Sequence, residues 1–410
     1  MKISSETRIK EIIEKHPQAL SIFAQCGFDA ENEEILIEEI GTLMLGTVLK
    51  VKDINQEIFI NLLEEKIQLE IDEKSAQINE TPRKINFIGY TYCPLKLTFK
   101  DSFEETYQKY LADTNDTSFK YYVPSGCVSE DPYEDLWKVE KIDQLPDIIA
   151  SVGFGDFFRR EFVEKFVNKG YFKAVPYRKM HKEFILAGII DPKYCYTVYS
   201  AFPLVILIDR KKLGNLPVPE RWSDLLNPEY ADNIILGASH GDIHEELLLY
   251  MYKDHGEEGI IKLAPNIKTG WHASQMAKVA GSNSKEGAAI YVIPWMFAKS
   301  CPRTDNTKII WPSDGAIITP NYMLVKETAV DKYSMFIDFL TSPLYGQKSA
   351  DNYFPAINAE VNNKLPEGAS FKWLGWDYIR THSIDDLKNY VVEVFQKHWK
   401  GQKQFKEMVI

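Results

Sequence analysis

The sequence lacks a long apolar segment at its start and in the rest of the chain. Residues 1–8 mix charged and apolar side chains and contain no apolar run of the ~7–15 residues that a secretory signal needs. The longest apolar run, 202–208, is far shorter than the ~20 residues of a membrane span. We therefore expect a cytoplasmic protein that does not insert into a membrane.

Cysteine is scarce. The chain has five cysteines, and they are widely spaced and never arranged as Cys-x-x-Cys. This pattern argues against a disulfide framework and against a structural zinc site, so we expect reduced thiols. The five are Cys26, Cys93, Cys127, Cys195 and Cys301.

An excess of positive charge is also absent. Lysine and arginine total 48 against 59 aspartate and glutamate residues, and the net charge is −11. Contacts with phosphate backbones need clustered basic side chains, and none dominate here. No nucleic-acid partner is expected.

Catalytic signatures are absent as well. The sequence contains no Gly-x-Ser-x-Gly elbow, no phosphate-binding loop and no dinucleotide fingerprint. We therefore predict that the protein is not an enzyme and that it requires no cofactor.

The first 69 residues carry apolar side chains at helical spacing. Ser5 is a candidate cap for a helix with Ile9, Ile12 and Ile13 on one face, and Pro17 is placed to open a second helix. Similar spacing recurs over 35–49 and 58–67. The pattern predicts a small helical domain over 1–69, followed by a polar linker over 70–84.

The segments 9–17 and 23–28 resemble a small helical domain of unknown function that often precedes redox and metal-cluster proteins. Members of that family typically carry a Cys-x-x-Cys pair after this turn, whereas residues 29–33 here contain no cysteine. A metal or redox role like that of the family is therefore not expected. We instead expect 1–69 to act as an interaction or sensing domain, which makes it a candidate surface for a protein partner.

After residue 84 the sequence alternates strand and helix patterns. Short apolar runs bounded by turn residues recur, and a long apolar stretch over 194–209 divides two strand-and-helix series. The run 309–325 is long enough to carry the chain back to the first series. We predict an α/β fold with two lobes built on mixed, mainly parallel sheets. Lobe 1 comprises 85–198 and 312–410, lobe 2 comprises 199–311, and the hinge crossings lie near 198–205 and 308–316.

Several segments together resemble the type 2 periplasmic-binding-protein fold of ABC-transporter solute receptors, in particular the ferric-iron-receptor branch. They are 146–151, 213–217, 219–230 with its Trp-x-Asp-Leu sequence, 336–343, Gln347 and 353–356. The resemblance covers about the last four-fifths of the chain. It implies a hinged receptor that closes its lobes on a ligand and performs no chemistry.

Candidate ligand-binding residues follow from the loops that leave the predicted strands. In open parallel sheets, ligands sit at the carboxyl ends of strands. Ser239, His240 and Gly241 are predicted to lie at a helix N-terminus, where free N–H groups attract an anion or carboxylate. The other candidates are Tyr90, Thr91, Tyr92, Cys93, Ser125, Gly126, Cys127, Gly153, Phe154, Tyr199, Asp242, Tyr291, Trp295 and Asp314.

A bound metal ion remains an open alternative. His240 and His244 are four residues apart, so on a helix they share one face and resemble half of a metal site. The other interpretation is that one caps the helix and the other lies on the surface. The ferric receptors that the chain resembles use an adjacent tyrosine pair in the second lobe. The only adjacent pair here, Tyr121-Tyr122, lies on a predicted strand of the first lobe.

Three functions are therefore open. The first is a receptor that closes on an anion, a carboxylate compound or a metal ion and acts in the cell as a sensor or buffer. The second is an enzyme that uses Cys93, Cys127 or a bound metal in the same cleft. The third is an interaction protein whose cleft is vestigial.

Overall fold

The computed structural model describes residues 3–25, 33–52, 54, 56, 59–60, 63–64, 84–124, 131–177, 179–239 and 242–401. Its contacts divide the chain into two compact units, Met1–Leu136 and Trp137–Ile410. Each unit is described by itself. All but the last residue of the predicted linker lies outside the described residues.

The first unit begins with a helical cluster, as predicted. Its helices are α1 (Ile9–Lys15), α2 (Leu20–Gln25), α3 (Glu33–Ile40) and α4 (Leu45–Val51). Ile9, Ile12 and Ile13 are buried in a shared core, which confirms the apolar face of α1. Pro17 opens a short 3-10 turn that leads into α2.

The predicted helix cap at Ser5 is wrong. Helix α1 begins at Ile9, with Arg8 in the capping position and no side-chain cap. The Ser4 carbonyl accepts a hydrogen bond from the Thr7 N–H, and the Ser5 carbonyl accepts one from the Gly46 N–H at 2.8 Å. Because these bonds close a turn before the helix, Ser5 lies too early to reach the free N–H groups of α1.

The same unit contains a short parallel strand pair. Strands β1 (Phe87–Gly89) and β2 (Tyr121–Tyr122) pair with Phe87 opposite Tyr121, and helix α5 (Lys96–Thr114) connects them. A helical connection is the usual way to bring two consecutive strands parallel. The ring of Phe103 on α5 packs against the rings of Phe87 and Tyr121.

The second unit is a mixed α/β structure. Its strands are β3 (Ile148–Val152), β4 (Tyr196–Asp209), β5 (Ile234–Ser239), β6 (Asp242–Ile243), β7 (Ile267–Trp271), β8 (Ile290–Pro294), β9 (Thr307–Ile310), β10 (Ala316–Val325) and β11 (Phe371–Lys372). Its helices are α6 (Arg160–Phe162), which runs into a π-helical turn at Val163–Val167, α7 (Lys182–Ala187), α8 (Arg210–Leu213), α9 (Glu246–Leu263), α10 (Ala273–Val279), α11 (Trp295–Lys299), α12 (Ser334–Thr341), α13 (Pro343–Asp351), α14 (Trp376–Thr381) and α15 (Ile384–His398).

Two long strands organise the sheet of this unit. Strand β4 pairs antiparallel with β10, and the other strands attach on either side of this pair. The spatial order is β3-β10-β4-β8-β5-β6, while β11 pairs with β10, β9 with β4 and β7 with β5. The β5–β7, β5–β8 and β10–β11 pairs are parallel, and the others in this unit are antiparallel. The predicted α/β class with mixed sheets is confirmed. The prediction that the sheets are mainly parallel is wrong for this unit, because β4 and β10 run antiparallel to each other and five of the eight described strand pairs are antiparallel.

Strand β4 spans the apolar stretch that was predicted to cross between lobes. The return run divides into β9, which pairs with the end of β4, and β10, which makes the crossing. The register shifts between Asn321 and Tyr322, which leaves Tyr199 as an extra residue in β4. Next to this bulge, the Asn321 side-chain amide donates a hydrogen bond to the Ser200 hydroxyl at 2.6 Å. Bulges often lie beside functional sites because they redirect side chains.

The C-terminal helices pack on two different parts of this unit. The indole of Trp376 on α14 lies beside Phe158 and Tyr196, which belong to the predicted lobe 1. Helix α15 instead packs along α9, which belongs to the predicted lobe 2. The Trp399 indole then donates to the Ile267 carbonyl at 2.8 Å. Residues 312–410 were predicted to lie in lobe 1, and this boundary stays a prediction.

Candidate functional site

In the second unit, the ends of strands β3 and β8 lie beside the long antiparallel pair formed by β4 and β10. The Gly153 N–H, just after β3, donates to the Pro320 carbonyl of β10 at 2.8 Å. On the other side, Leu204 of β4 stands opposite Pro294, the last residue of β8. The loops that follow β3 and β8 thus both meet the β4–β10 pair, near Pro320 and Leu204, and we call this region the junction. In open α/β sheets, ligands bind beside loops that follow the strands.

The loop after β3 is held by aromatic stacking and by a lysine. Gly153 has a positive φ of 64°, which glycine adopts without strain. The Phe154 ring is buried and stacks on the Trp373 indole at 5.5 Å between centroids. The Phe154 carbonyl accepts a hydrogen bond from Nζ of Lys388 on α15 at 3.2 Å.

Two adjacent glutamates at the start of α9 have opposite pKa shifts. Burial by itself would raise the pKa of Glu245, but the Lys388 ammonium pairs with that carboxylate and lowers the pKa below its ordinary value. Burial raises the pKa of Glu246, and the neighbouring charge of Glu245 adds to this rise. Two neighbouring carboxyl groups therefore have pKa values shifted in opposite directions, one lowered by an ion pair and one raised by burial.

The predicted helix N-terminus at Ser239–Gly241 is wrong. Strand β5 ends at Ser239 and pairs antiparallel with β6, with Ser239 opposite Asp242, and α9 begins only at Glu246. The His244 N–H donates to the Gly237 carbonyl at 2.8 Å, which extends the hairpin. His240, Gly241 and the side chains of Ser239 and Asp242 lie outside the described residues. A role for these four residues in ligand binding stays a prediction.

The same hairpin removes the basis for a histidine pair on one helical face. His244 precedes α9, so its spacing from His240 is not a helical spacing. Its ring lies over Gly237, where an added Cβ would stand 2.8 Å from Nδ1. Within the described part of the chain, no group of three or more His, Cys, Asp or Glu side chains is arranged to hold a metal ion.

The predicted aromatic lining is mostly buried. The Tyr291 ring is enclosed and its hydroxyl accepts a hydrogen bond from the Ala288 N–H, and contact of this residue with ligand stays a prediction. Tyr199, the bulge residue, is also buried, and burial raises its pKa. Tyr121 and Tyr122 do form a strand, but successive strand residues face opposite sides and do not converge on one ion.

Trp295 is also buried, but unlike Tyr291 its polar atom has no hydrogen-bond partner in the described structure. It begins α11, directly after β8, and only 1% of it is exposed. Its ring makes edge contacts with Trp311 at 5.2 Å and with Tyr353 at 5.1 Å. Its indole Nε1 has no hydrogen-bond partner in the described structure. An enclosed donor of this kind is costly unless a further group completes it.

Asp314 has a structural role. Its carboxylate accepts a hydrogen bond from the Trp222 N–H at 3.3 Å and pairs with Lys372 at 3.5 Å. The Trp222 indole donates to the Gly315 carbonyl at 2.8 Å. These contacts fix the Trp-x-Asp-Leu segment against the start of β10, and contact of Asp314 with ligand stays a prediction.

The first unit contains the remaining predicted residues. Tyr90, Thr91 and Tyr92 follow β1, and Cys93 opens a short 3-10 turn that leads into α5. Cys93 is exposed, whereas Thr91 is buried with no hydrogen-bond partner for its hydroxyl. The remaining three, Ser125, Gly126 and Cys127, lie outside the described residues. Ligand contact by these residues stays a prediction.

Sequence patterns alone did not identify the residues that join the junction. Lys388 is one of many lysines on amphipathic helices, and Glu245 and Glu246 fell inside a predicted helix. Trp373 follows a two-residue strand that periodicity does not detect. The one feature of the sequence that could have indicated Trp373 is the presence of a tryptophan in a segment without regular periodicity.

The mixed sheet with two long crossing strands defines the type 2 class of solute receptors. The model of the bacterial extracellular solute-binding proteins matches residues 143–382, and the chain belongs to that family. It is therefore a ligand-binding receptor, and the predicted resemblance is confirmed. No curated protein matches the chain. None of the helices in the described residues is long and apolar enough to cross a bilayer.

Solved structures share the fold at low sequence identity. The Trichodesmium protein IdiA or FutA, solved with iron and citrate ligands, is 14% identical with a TM-score of 0.53 and covers 78% of this chain and 100% of its own. An ABC transporter protein from Clostridium perfringens is 13% identical with a TM-score of 0.52, at 78% and 100% coverage. The ferric binding protein from Campylobacter jejuni is 14% identical with a TM-score of 0.51, at 77% and 99% coverage.

Proposed function

We propose that this receptor binds a small organic ligand with a hydrogen-bond-accepting group, such as a carboxylate, at the junction around Trp295. The observation that carries the proposal is the unpartnered indole Nε1 of Trp295, enclosed at the end of β8. An indole nitrogen only donates hydrogen bonds, so a ligand that completes it must supply an acceptor.

Aromatic walls and a nearby cation favour the same ligand class. Trp311 and Tyr353 pack on the Trp295 ring, and apolar walls with a few polar groups are typical of sites for small organic molecules. The Lys299 ammonium lies 5.9 Å from the centroid of the Tyr353 ring, so a positive charge lies beside this aromatic cluster. A carboxylate ligand is complementary to both features.

Iron held by citrate is a second candidate ligand. The Trichodesmium neighbour was solved with iron and citrate, and citrate itself carries three carboxylates. Ferric citrate thus combines the metal ion and the carboxylate that the sequence left open. It is a suitable probe beside citrate alone and inorganic phosphate.

Isothermal titration of the full chain with citrate, ferric citrate and phosphate tests the proposal. Trp295→Phe keeps an aromatic ring but removes the donor, and we expect it to weaken binding of the best probe about 10-fold. Trp399→Phe is the matched control, since its indole already donates to the Ile267 carbonyl. Binding of none of the probes, or equal affinity in Trp295→Phe and the parent, would contradict the proposal.

We also propose that the receptor acts inside the cell as a sensor or buffer, with 1–69 as its partner-binding domain. Support for the domain comes from its own surface, where Leu43, Met44 and Val51 are exposed beside the helical core. The family is described as extracellular, so an intracellular location would set this chain apart from it. Cell fractionation is the test, and recovery of the native protein outside the cytoplasm would overturn the location.

A further inference from the structure

Four large apolar side chains are exposed within one ten-residue segment of the second unit. They are Ile185, Leu186, Ile190 and Tyr194, with exposed fractions of 52%, 83%, 36% and 67%. We call them the apolar ridge. Helix α7 supplies the first two, and the loop that follows supplies the others.

The ridge stands on a well-packed base. The Phe184 ring lies 4.8 Å from the Phe371 ring, and the Ile189 carbonyl accepts a hydrogen bond from the Trp376 indole at 2.9 Å. Phe184 and Ile189 are buried and hold the segment against the rest of the unit, while their neighbours Ile185, Leu186 and Ile190 are exposed. The exposure therefore belongs to the folded state.

Tyr194 is held in a costly backbone conformation. Its φ of 54° is unusual for a bulky residue. The Tyr194 N–H donates to the Asp191 carbonyl at 3.0 Å, and its own carbonyl accepts a hydrogen bond from the Ala174 N–H at 2.6 Å. The buried Asp191 carboxylate accepts further bonds from the Lys193 and Cys195 N–H groups. The fold thus fixes an aromatic side chain in solvent, where it fills no core.

The part of the sequence that carries the ridge is basic. Residues 169–194 contain six lysine and arginine residues against two acidic residues, in a chain whose net charge is −11. Lys179, Lys182 and Lys193 are exposed, and none of them has an ion-pair partner in the described structure. Lys173 lies close to the ridge, since the N–H of its neighbour Ala174 donates to the Tyr194 carbonyl. The Lys173 ammonium pairs with the Glu327 carboxylate at 3.5 Å, and both side chains are exposed.

We propose that the apolar ridge and its lysines dock this chain on the surface of an anionic lipid bilayer. Aliphatic side chains and a tyrosine enter the interface between headgroups and acyl chains, while the surrounding lysines contact anionic headgroups. The exposed lysines beside the ridge favour lipid over a protein partner, because lysine is depleted in protein interfaces and charged residues are depleted at their cores. Shallow insertion into lipid needs only such a ridge and its surrounding charge.

The test is co-sedimentation of the full chain with vesicles of phosphatidylcholine alone or with about one-third phosphatidylglycerol. We expect about 10-fold or stronger binding to the anionic vesicles, and most of it is lost at 0.5 M NaCl, where the Debye length falls to about 4 Å. Leu186→Ser and the double variant Lys182→Gln, Lys193→Gln each weaken binding several-fold. Leu344→Ser is the control, since Leu344 is 65% exposed elsewhere in the unit.

Thermal melts of the variants check that each one folds, which the exposure of the substituted side chains favours. Equal binding to both vesicle types, or no binding to either, would overturn the proposal. A concentration-dependent dimer that Leu186→Ser abolishes would also overturn it, by assigning the ridge to contact between copies. Unchanged binding in Leu186→Ser or in the lysine double variant would show that the ridge is not the docking surface.

Discussion

The Lys388 ammonium lies 3.2 Å from the backbone carbonyl oxygen of Phe154 and also pairs with the Glu245 carboxylate. Phe154 follows β3, whereas Glu245 precedes α9, so one side chain of the C-terminal helix connects the two predicted lobes. The loop that Lys388 reaches is also bonded to β10, where the Gly153 N–H donates to the Pro320 carbonyl at 2.8 Å.

Replacing Lys388 with Met should destabilise the second unit by about 1–3 kcal/mol, because it leaves a partly buried carboxylate without its cation. Urea unfolding at pH 7 measures the loss. Lys388→Arg keeps the charge and should recover most of the stability. Equal unfolding midpoints for the Met variant and the parent would contradict this role.

The two glutamates at the start of α9 should respond to substitution in opposite directions. Because folding lowers the pKa of Glu245, its ionised form stabilises the fold above its ordinary value of 4.5, and this contribution is lost as pH falls through the lower folded pKa. Glu245→Gln is therefore destabilising at pH 7. Folding raises the pKa of Glu246, so its ionised form costs stability at neutral pH. Glu246→Gln is therefore stabilising at pH 7.

Thermal melts between pH 3 and pH 8 separate the two effects. We expect the gain from Glu246→Gln to disappear below about pH 4.5, where the carboxyl is protonated in both the folded and the unfolded state. The Glu245→Gln defect should shrink in the same acidic range. Changes of the same sign in both variants at pH 7 would contradict the opposite pKa shifts.

Arg380 should be among the most sensitive charged residues of the second unit. It pairs with Asp191, whose side chain is fully buried and accepts backbone N–H groups from Lys193, Cys195 and Tyr196. Arg380→Met leaves that carboxylate uncompensated and should cost about 3–5 kcal/mol, measured by urea unfolding. Arg380→Lys keeps the charge without the planar geometry, so its cost should be smaller. A Met variant as stable as the Lys variant would rule out this contribution.

Cysteine alkylation should divide the thiols by exposure. Cys93 is exposed, whereas Cys195 and Cys301 are buried, and burial raises the pKa of the Cys195 thiol. Brief treatment of the native protein with iodoacetamide at pH 8, read out by peptide mass spectrometry, should modify Cys93 well before the other two. The same labelled protein tests the enzyme alternative, because loss of a turnover activity would favour it. Fast labelling of Cys301 in the native state would show that its burial is incomplete.

Much of the fold could be predicted because its signals are local. The apolar run over 194–209 is long enough to indicate a crossing strand, and β4 occupies it almost entirely. The hairpin of β5 and β6 was not predictable in this way. The apolar residues from Leu247 onward repeat at helical spacing, and a two-residue strand before them leaves no periodic trace. The helix was therefore predicted to begin several residues before Glu246, where α9 begins in the structure. The anion site was placed at that wrong helix start.

The candidate site depended on tertiary structure to a greater degree. Tyr291 and Trp295 belong to the same strand-to-helix segment and are both aromatic, so sequence patterns give no reason to assign them different roles. In the structure Tyr291 satisfies its hydroxyl locally with the Ala288 N–H, whereas Trp295 has no such partner. Lys388 and Phe154 are separated by more than 200 residues, and no local pattern relates them.

The sequence by itself determined the α/β class, the crossing strand, the helical face of α1 and the family resemblance, because each depends on residues close together in the chain. Only the tertiary structure decided which aromatic side chains are enclosed, which carboxylate is paired and where the C-terminal helix packs. Burial and charge pairing depend on neighbours that are distant in sequence, and these contacts set the pKa values and the unsatisfied donor on which the proposed site rests.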